Sequence, residues 1–175
     1  MKSIDLSSIA DLKEVYAAVH GIYPMFSREI AFCNPLNSSP YVTDYKSFTA
    51  AHSFNASRKL LIKSLDDCLL EARTCGVRPS FLLVGGSFLR FTAIPKDLDL
   101  VCFYTAAKDF DCDRLKSLQS QFKVQCLDIR FLPCDSDSWF VAKLVGFFAI
   151  LYSTEKRTGD SKHGVLIVRL GKVCG

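Results

Sequence analysis

Phe81-Leu82-Leu83-Val84-Gly85-Gly86-Ser87, followed after a spacer of nine residues by Asp97-Leu98-Asp99-Leu100-Val101, is the stretch on which the reading of this chain turns. Phe81 to Val84 is a short apolar run of strand type with Pro79 ahead of it. Gly85 and Gly86 carry no Cβ, so the backbone can turn sharply and a phosphate can come close. Backbone N–H groups there and the Ser87 hydroxyl can then donate to phosphate oxygens. Leu98 to Tyr104 reads as a second strand. Strand side chains alternate, so Asp97 and Asp99 point one way while Leu98 and Leu100 point into the core. Two carboxylates on one face repel, and a divalent cation between them relieves that repulsion. Taken singly, a Gly-Gly-Ser turn is ordinary loop chemistry and an Asp-x-Asp is an exposed strand edge. The combination is far more specific than either part.

Working outward, residues 1 to about 22 have helical spacing, with Ile4, Ile9, Leu12, Val15, Tyr16 and Val19 on one face. From Tyr23 to Phe54 the pattern breaks into turn chemistry at Pro24, Asn34-Pro35 and Asn37-Ser38-Ser39-Pro40. The aromatics within it predict an ordered loop packed on the domain. Ser57 to Cys75 is a helix, with Leu60, Leu61, Leu65, Cys68, Leu69 and Ala72 at helical spacing and Gly76 as a stop. Asp111 to Phe122 is a second helix, Val124 to Leu132 a third strand, and Asp137 to Tyr152 a largely buried helix. Ser153 to Gly164 reads as a polar loop, and Val165 to Val168 as a last strand. Strands alternating with helices favour one α/β (α+β) domain around a mixed sheet flanked by helices. Residues 1–56 form its N-terminal elaboration (helix and ordered loop) and 57–170 its core.

The chain of 175 residues is 49% hydrophobic, so a buried core is expected. A net charge of +4 permits contact with phosphates without demanding it. Trp139 to Tyr152 is interrupted by Lys143 and is shorter than the roughly 20 residues of a membrane span. The start Met1-Lys2-Ser3-Ile4-Asp5 lacks a secretory pattern, so the expectation is a cytoplasmic protein with no membrane partner. Eight cysteines include no Cys-x-x-Cys pair; Cys102 and Cys126, inside apolar runs, read as small buried hydrophobes. His20, His52 and His163 read as surface or capping residues, and Trp139 and the Phe residues as core.

A strand, Gly-Gly-Ser, a spacer, then Asp-hydrophobic-Asp-hydrophobic resembles the signature of the DNA polymerase beta-like nucleotidyltransferase superfamily. The resemblance implies a minimal nucleotidyltransferase domain. Gly85, Gly86 and Ser87 would hold a nucleoside triphosphate, ATP among the choices, with Lys96 touching phosphate. Asp97 and Asp99 would hold two Mg2+ ions, with Mn2+ as the alternative. The superfamily places a third carboxylate on a later strand, and Asp128 in Cys126-Leu127-Asp128-Ile129-Arg130 is the natural candidate. It would complete the metal site and take the proton of the attacking hydroxyl. From the residues alone, a carboxylate in an apolar strand needs a partner, which a metal, Arg130 or a backbone donor would each supply. Arg90, Lys156, Arg157 and Lys162 are further candidate phosphate contacts.

More narrowly, Ser39-Pro40-Tyr41, Phe48, Ser57-Arg58, Gly85-Gly86-Ser87-Phe88, Pro95-Lys96-Asp97-Leu98-Asp99 and Lys162-His163-Gly164-Val165 resemble a small family of bacterial nucleotidyltransferase-like chains, over most of residues 23 to 170. His163 departs from the Lys-Gly usual in the late motif.

The implied activity is transfer of a nucleoside monophosphate to a hydroxyl of a protein, an RNA or a small molecule. By analogy the setting is toxin–antitoxin or phage defence, with an antitoxin or a second copy as partner. The alternatives are a non-catalytic nucleotide- or partner-binding module of the same fold, and an interaction protein with a fortuitous motif.

Overall fold

Asn55 starts the longest helix among the described residues: its backbone is extended and its side chain accepts from the Arg58 amide at 3.0 Å. The structure, a computed structural model, describes residues 40–90, 94–154 and 164–171. Among these, β1 (Tyr41–Asp44) runs into α1 (Tyr45–His52), and α2 (Ala56–Thr74) leads to β2 (Val77–Gly85) and a 3-10 turn at Gly86–Leu89. β3 (Leu98–Ala106), α3 (Cys112–Val124), β4 (Leu127–Pro133), α4 (Ser138–Ser153) and β5 (Leu166–Arg169) follow. The helix starts carry the expected chemistry. Asp44 caps α1 through Ser47, Asp111 caps α3 through Arg114, and Asp137 caps α4 through Trp139.

The five strands form one mixed sheet in the order β1-β5-β2-β3-β4. β3 pairs antiparallel with β2 and parallel with β4, while β5 bridges β2 and β1. Strand alternation divides the apolar residues between two faces. Leu82, Val84, Leu98, Leu100, Cys102, Leu127 and Ile129 meet Phe48, Leu65, Cys68, Leu115, Leu118 and Phe122 from α1, α2 and α3. Leu83, Val101 and Phe103 meet Phe148 of α4 on the opposite face. The result is a mixed α/β domain with helices on both sides of the sheet.

Several elements differ from the sequence reading. Tyr41 to His52 is regular, not irregular. Asp44 ends a strand and caps a helix whose Phe48 and His52, one turn apart, are both buried. β2 is longer than its apolar run because the sheet admits Pro79 at a register shift between Pro79 and Phe81. The strand expected from Val124 begins at Leu127, since Val124 still closes α3 and Cys126 turns at a φ of 63°. Cys126 is therefore exposed, unlike the buried Cys102. On α2, Leu60 faces outward and Ile62 takes the inner place. α4 is not largely buried: Trp139 is 81% exposed and Phe140, Phe147, Ile150 and Leu151 are also exposed. The helix lies on the sheet through one narrow side, at Phe148 and its neighbours. Among the described residues no helix is long and apolar enough to cross a membrane. The expected helix over 1–22, the irregular segment before residue 40, and Lys156, Arg157, Lys162 and His163 lie outside the described residues.

Candidate functional site

The register of the central strands joins residues far apart in sequence. Gly85 on β2 pairs with Asp99 on β3, and Asp99 pairs with Asp128 on β4. Residues that pair directly across a ladder point to the same face, so Asp99 and Asp128 stand side by side. Leu98, Leu100, Leu127 and Ile129 point the other way into the main core. Both carboxylates thus occupy the face on which α4 lies, at the end of the sheet where β2 leaves and β3 enters.

The glycine turn closes over this row. Gly86 has a φ of +72°, a region that side chains other than Gly enter at a cost. A Cβ at Gly86 would lie 2.5 Å from Asp99 Oδ2. A Cβ at Gly85 would run into the Cβ of Tyr152. The two glycines are therefore needed for different reasons. Gly85 lets α4 approach the strand, and Gly86 lets the turn reach the Asp99 carboxylate.

Tyr152 and Arg130 complete the surroundings. Burial pushes the Tyr152 phenol up, the Asp99 charge adds to that, Arg130 opposes it, and Asp128 adds a smaller push upward. Arg130, two residues beyond Asp128 and so on the same strand face, holds its guanidinium 5.7 Å from the Phe148 ring centroid. Cationic and anionic groups thus share one patch, with an aromatic wall behind it.

The far side of the turn is held by α1 and α2. Arg58 is fully buried, and its Nη1 donates to the Phe88 carbonyl at 2.6 Å while Nη2 donates to the Arg90 carbonyl at 2.5 Å. Its guanidinium lies over the rings of Phe54 and Phe88, 4.6 Å and 4.9 Å from their centroids. His52 is buried between Phe48 and Phe88, with centroid distances of 5.2 Å and 5.3 Å. Burial, and then the nearby Arg58 charge, hold its pKa down at about 4, so the imidazole is neutral. His52 is a core residue, not a surface or capping one. The aromatic stack leaves no water for a charged ring, and its Nδ1 lies 3.5 Å from Arg58 Nη1.

Of the residues predicted from sequence, Gly85, Gly86, Asp99 and Asp128 come together, and Ser87 follows directly in the turn. Asp97 and Lys96 are exposed and precede the ladder, which opens at Leu98 opposite Leu127. Of the other carboxylates between β3 and β4, Asp111 is a helix cap and Asp113 the partner of Lys116. Among the described residues, no three His, Cys, Asp or Glu side chains stand together as a metal-holding group. What the row supplies is two hard oxygen donors, one of which, Asp99, meets a turn that comes close because it carries no Cβ. That fits Mg2+, which is commonly held by one or two carboxylates, with phosphate oxygens and water completing its shell. Arg130 was legible as a same-face neighbour of Asp128 from the strand period of two. Tyr152 and Arg58 had no comparable signal, since helix positions alone do not say which strand end they meet.

No curated protein and no solved structure matches this chain. The model of a family of unknown function, DUF6932, matches residues 27–168, and with most of its length so matched the chain belongs to that family.

Proposed function

We propose that the chain is a metal-dependent nucleotidyltransferase that moves a nucleoside monophosphate from a nucleoside triphosphate to a hydroxyl of a protein, RNA or small molecule. The observation that carries this reading is the register row Gly85–Asp99–Asp128, with the Gly86 turn lying against Asp99. The superfamily signature expects Asp97 and Asp99 beside a Gly-Gly-Ser turn and a third carboxylate on a later strand; the pairing of Asp99 with Gly85 and with Asp128 supports that expectation, while Asp97 stands before the ladder. Asp99 and Asp128 would hold Mg2+, with the exposed Asp97 as a nearby oxygen donor. The ion would supply neutralisation of the phosphate charge. The turn would let the triphosphate approach the backbone, with the Ser87 hydroxyl donating to it. Asp128 would accept the proton of the acceptor hydroxyl as its oxygen bonds to the α-phosphorus and the bond to pyrophosphate breaks. Arg130, on the same face, is the cation best placed to meet a phosphate. An antitoxin-type partner and a toxin–antitoxin or phage-defence setting belong to this reading by analogy with the superfamily.

A second reading, a nucleotide-binding module without turnover, is favoured by one observation: Asp97 is exposed and precedes the ladder, outside the paired row. Label transfer from an α-labelled triphosphate to RNA or to protein, with and without Mg2+, separates the two. The enzyme reading expects Mg2+-dependent transfer that Asp99→Ala and Asp128→Ala abolish. Equal transfer by those folded variants overturns it. Calorimetric binding of Mg·ATP without any product selects the module.

A further inference from the structure

A buried arginine far from the carboxylates in sequence is tied to the candidate phosphate turn. We propose that Arg58 is a positioning residue for the Gly85–Ser87 turn, fixing its geometry and with it the affinity for a metal-complexed nucleoside triphosphate. The ligand in this statement rests on the proposed function; the contact between Arg58 and the turn does not.

A guanidinium remains charged at any ordinary pH, so placing it out of water is costly unless its donors are satisfied. Arg58 has no exposure, and two of its nitrogens donate to main-chain carbonyls two residues apart, those of Phe88 and Arg90. The Arg90 amide in turn donates to the Ser87 carbonyl at 3.1 Å. A chain of hydrogen bonds thus runs from the first turn of α2 through Arg90 to Ser87. A peptide unit whose carbonyl is held cannot rotate freely, so the N–H groups of Phe88 and Leu89, which share planes with the Ser87 and Phe88 carbonyls, are held as well, and the turn is fixed at its Ser87 end.

The opposite side of the turn meets Asp99, because the Gly86 backbone sits where a Cβ would strike the Asp99 carboxylate. The turn is therefore gripped between a cation behind it and a carboxylate before it. Only a planar fork with separate nitrogens reaches both carbonyls. A lysine offers one nitrogen at the end of a flexible stem, so the exchange is not conservative. The rings of Phe54 and Phe88 on which the guanidinium lies hold the fork in place.

The experiment compares the full chain with Arg58→Lys and Phe54→Leu. The second variant alters only a half-exposed ring over the guanidinium and serves if the first does not fold. Two quantities are measured well below each melting midpoint, so that loss of folded protein does not enter. One is amide hydrogen exchange of the 86–90 segment relative to β3. The other is the calorimetric Kd for Mg·ATP. For Arg58→Lys, we expect exchange in the turn to rise about ten-fold or more, as loss of a charged hydrogen bond implies, with β3 protection unchanged. The Kd is expected to weaken by a similar factor, and Phe54→Leu to shift both quantities less, in the same direction. Unchanged exchange in the turn of the folded variants overturns the inference, and so does faster exchange with unchanged Kd. If the unaltered chain binds no Mg·ATP, the proposed function fails, and the exchange result alone decides whether Arg58 fixes the turn.

Discussion

Gly86→Ala tests the geometry of the candidate site without requiring that any ligand be known. Two separate costs are expected. The alanine must adopt a φ near +72°, which disfavours a side chain by about 1–2 kcal/mol. Its Cβ must also share space with Asp99 Oδ2, 2.5 Å away in the present geometry. Forcing a group into filled space typically costs about 1–3 kcal/mol, and the low end applies because the oxygen in the way is the far end of a side chain that can turn aside. Some of the total is offset by the stiffer unfolded chain, by about 0.4–1 kcal/mol. The net destabilisation expected is therefore about 1–3 kcal/mol. The two costs can be told apart because only one involves Asp99. In an Asp99→Ala background the contact is gone, and the same substitution should retain only the backbone part less the same offset, about 1 kcal/mol. Urea unfolding of the four proteins measures the coupling as a double-mutant cycle. With slopes of about 1–3 kcal/mol per molar urea, a coupling of about 1 kcal/mol moves the midpoint by roughly 0.3–1 M. Equal destabilisation by Gly86→Ala in both backgrounds would refute the claim that the turn lies against Asp99. The Gly86 turn would then no longer belong with the Gly85–Asp99–Asp128 row.

Two further outcomes are expected. His52 has a folded pKa of about 4 against an ordinary 6.5, so the unfolded chain binds the proton more readily. Its contribution to stability is whole above about pH 7, falls as the pH drops through 6.5 and is lost by about pH 4, a loss of about 3 kcal/mol. Chemical unfolding across that range should show the fall in the unaltered chain and a shallower one in His52→Phe; identical pH profiles would remove the buried, neutral imidazole. Asp99→Asn should lower the Tyr152 pKa, since the Asp99 charge helps to raise it, while burial keeps it above the ordinary 10.0. The Cζ resonance of isotope-labelled Tyr152, assigned with Tyr152→Phe, reports this, and an unmoved titration would separate Tyr152 from the carboxylate row.

Much of this fold was legible because local chemistry and burial agree. Gly76 was recognisable as a helix stop, and the alternation Leu98, Leu100 against Asp99 as a strand with one face in the core. The same alternation separated Leu127 and Ile129 from Asp128 correctly. Which strand lies beside which is a different kind of information. Nothing within residues 98–101 or 127–130 says that Asp99 and Asp128 will be partners in a parallel ladder. The superfamily signature suggested only that a carboxylate on a later strand joins the site; the parallel pairing is a property of the sheet. α4 failed for a related reason. Its apolar residues surround the helix, so the pattern could not say which face meets the sheet. The answer came from Gly85 and Leu83, which give the helix a narrow seat at Tyr152 and Phe148.

Arg58 and His52 mark the limit of a residue-by-residue reading most clearly. An arginine at the start of a helix and a histidine at the end of another are ordinarily solvent-facing residues, and although Ser57-Arg58 is among the motifs that carry the family resemblance, nothing local to either residue says that it is buried. What buries them is a need elsewhere. The 3-10 turn after Gly86 leaves the carbonyls of Phe88 and Arg90 directed inward, where unpaired acceptors are costly. A buried cation satisfies both carbonyls at once, and the neutral imidazole beside it adds no second charge. The turn that Gly86 brings against Asp99 therefore creates the demand that draws Arg58 inside. On this argument the turn, its buried cation and the carboxylate before it act as one unit, and loosening any member should loosen the other two.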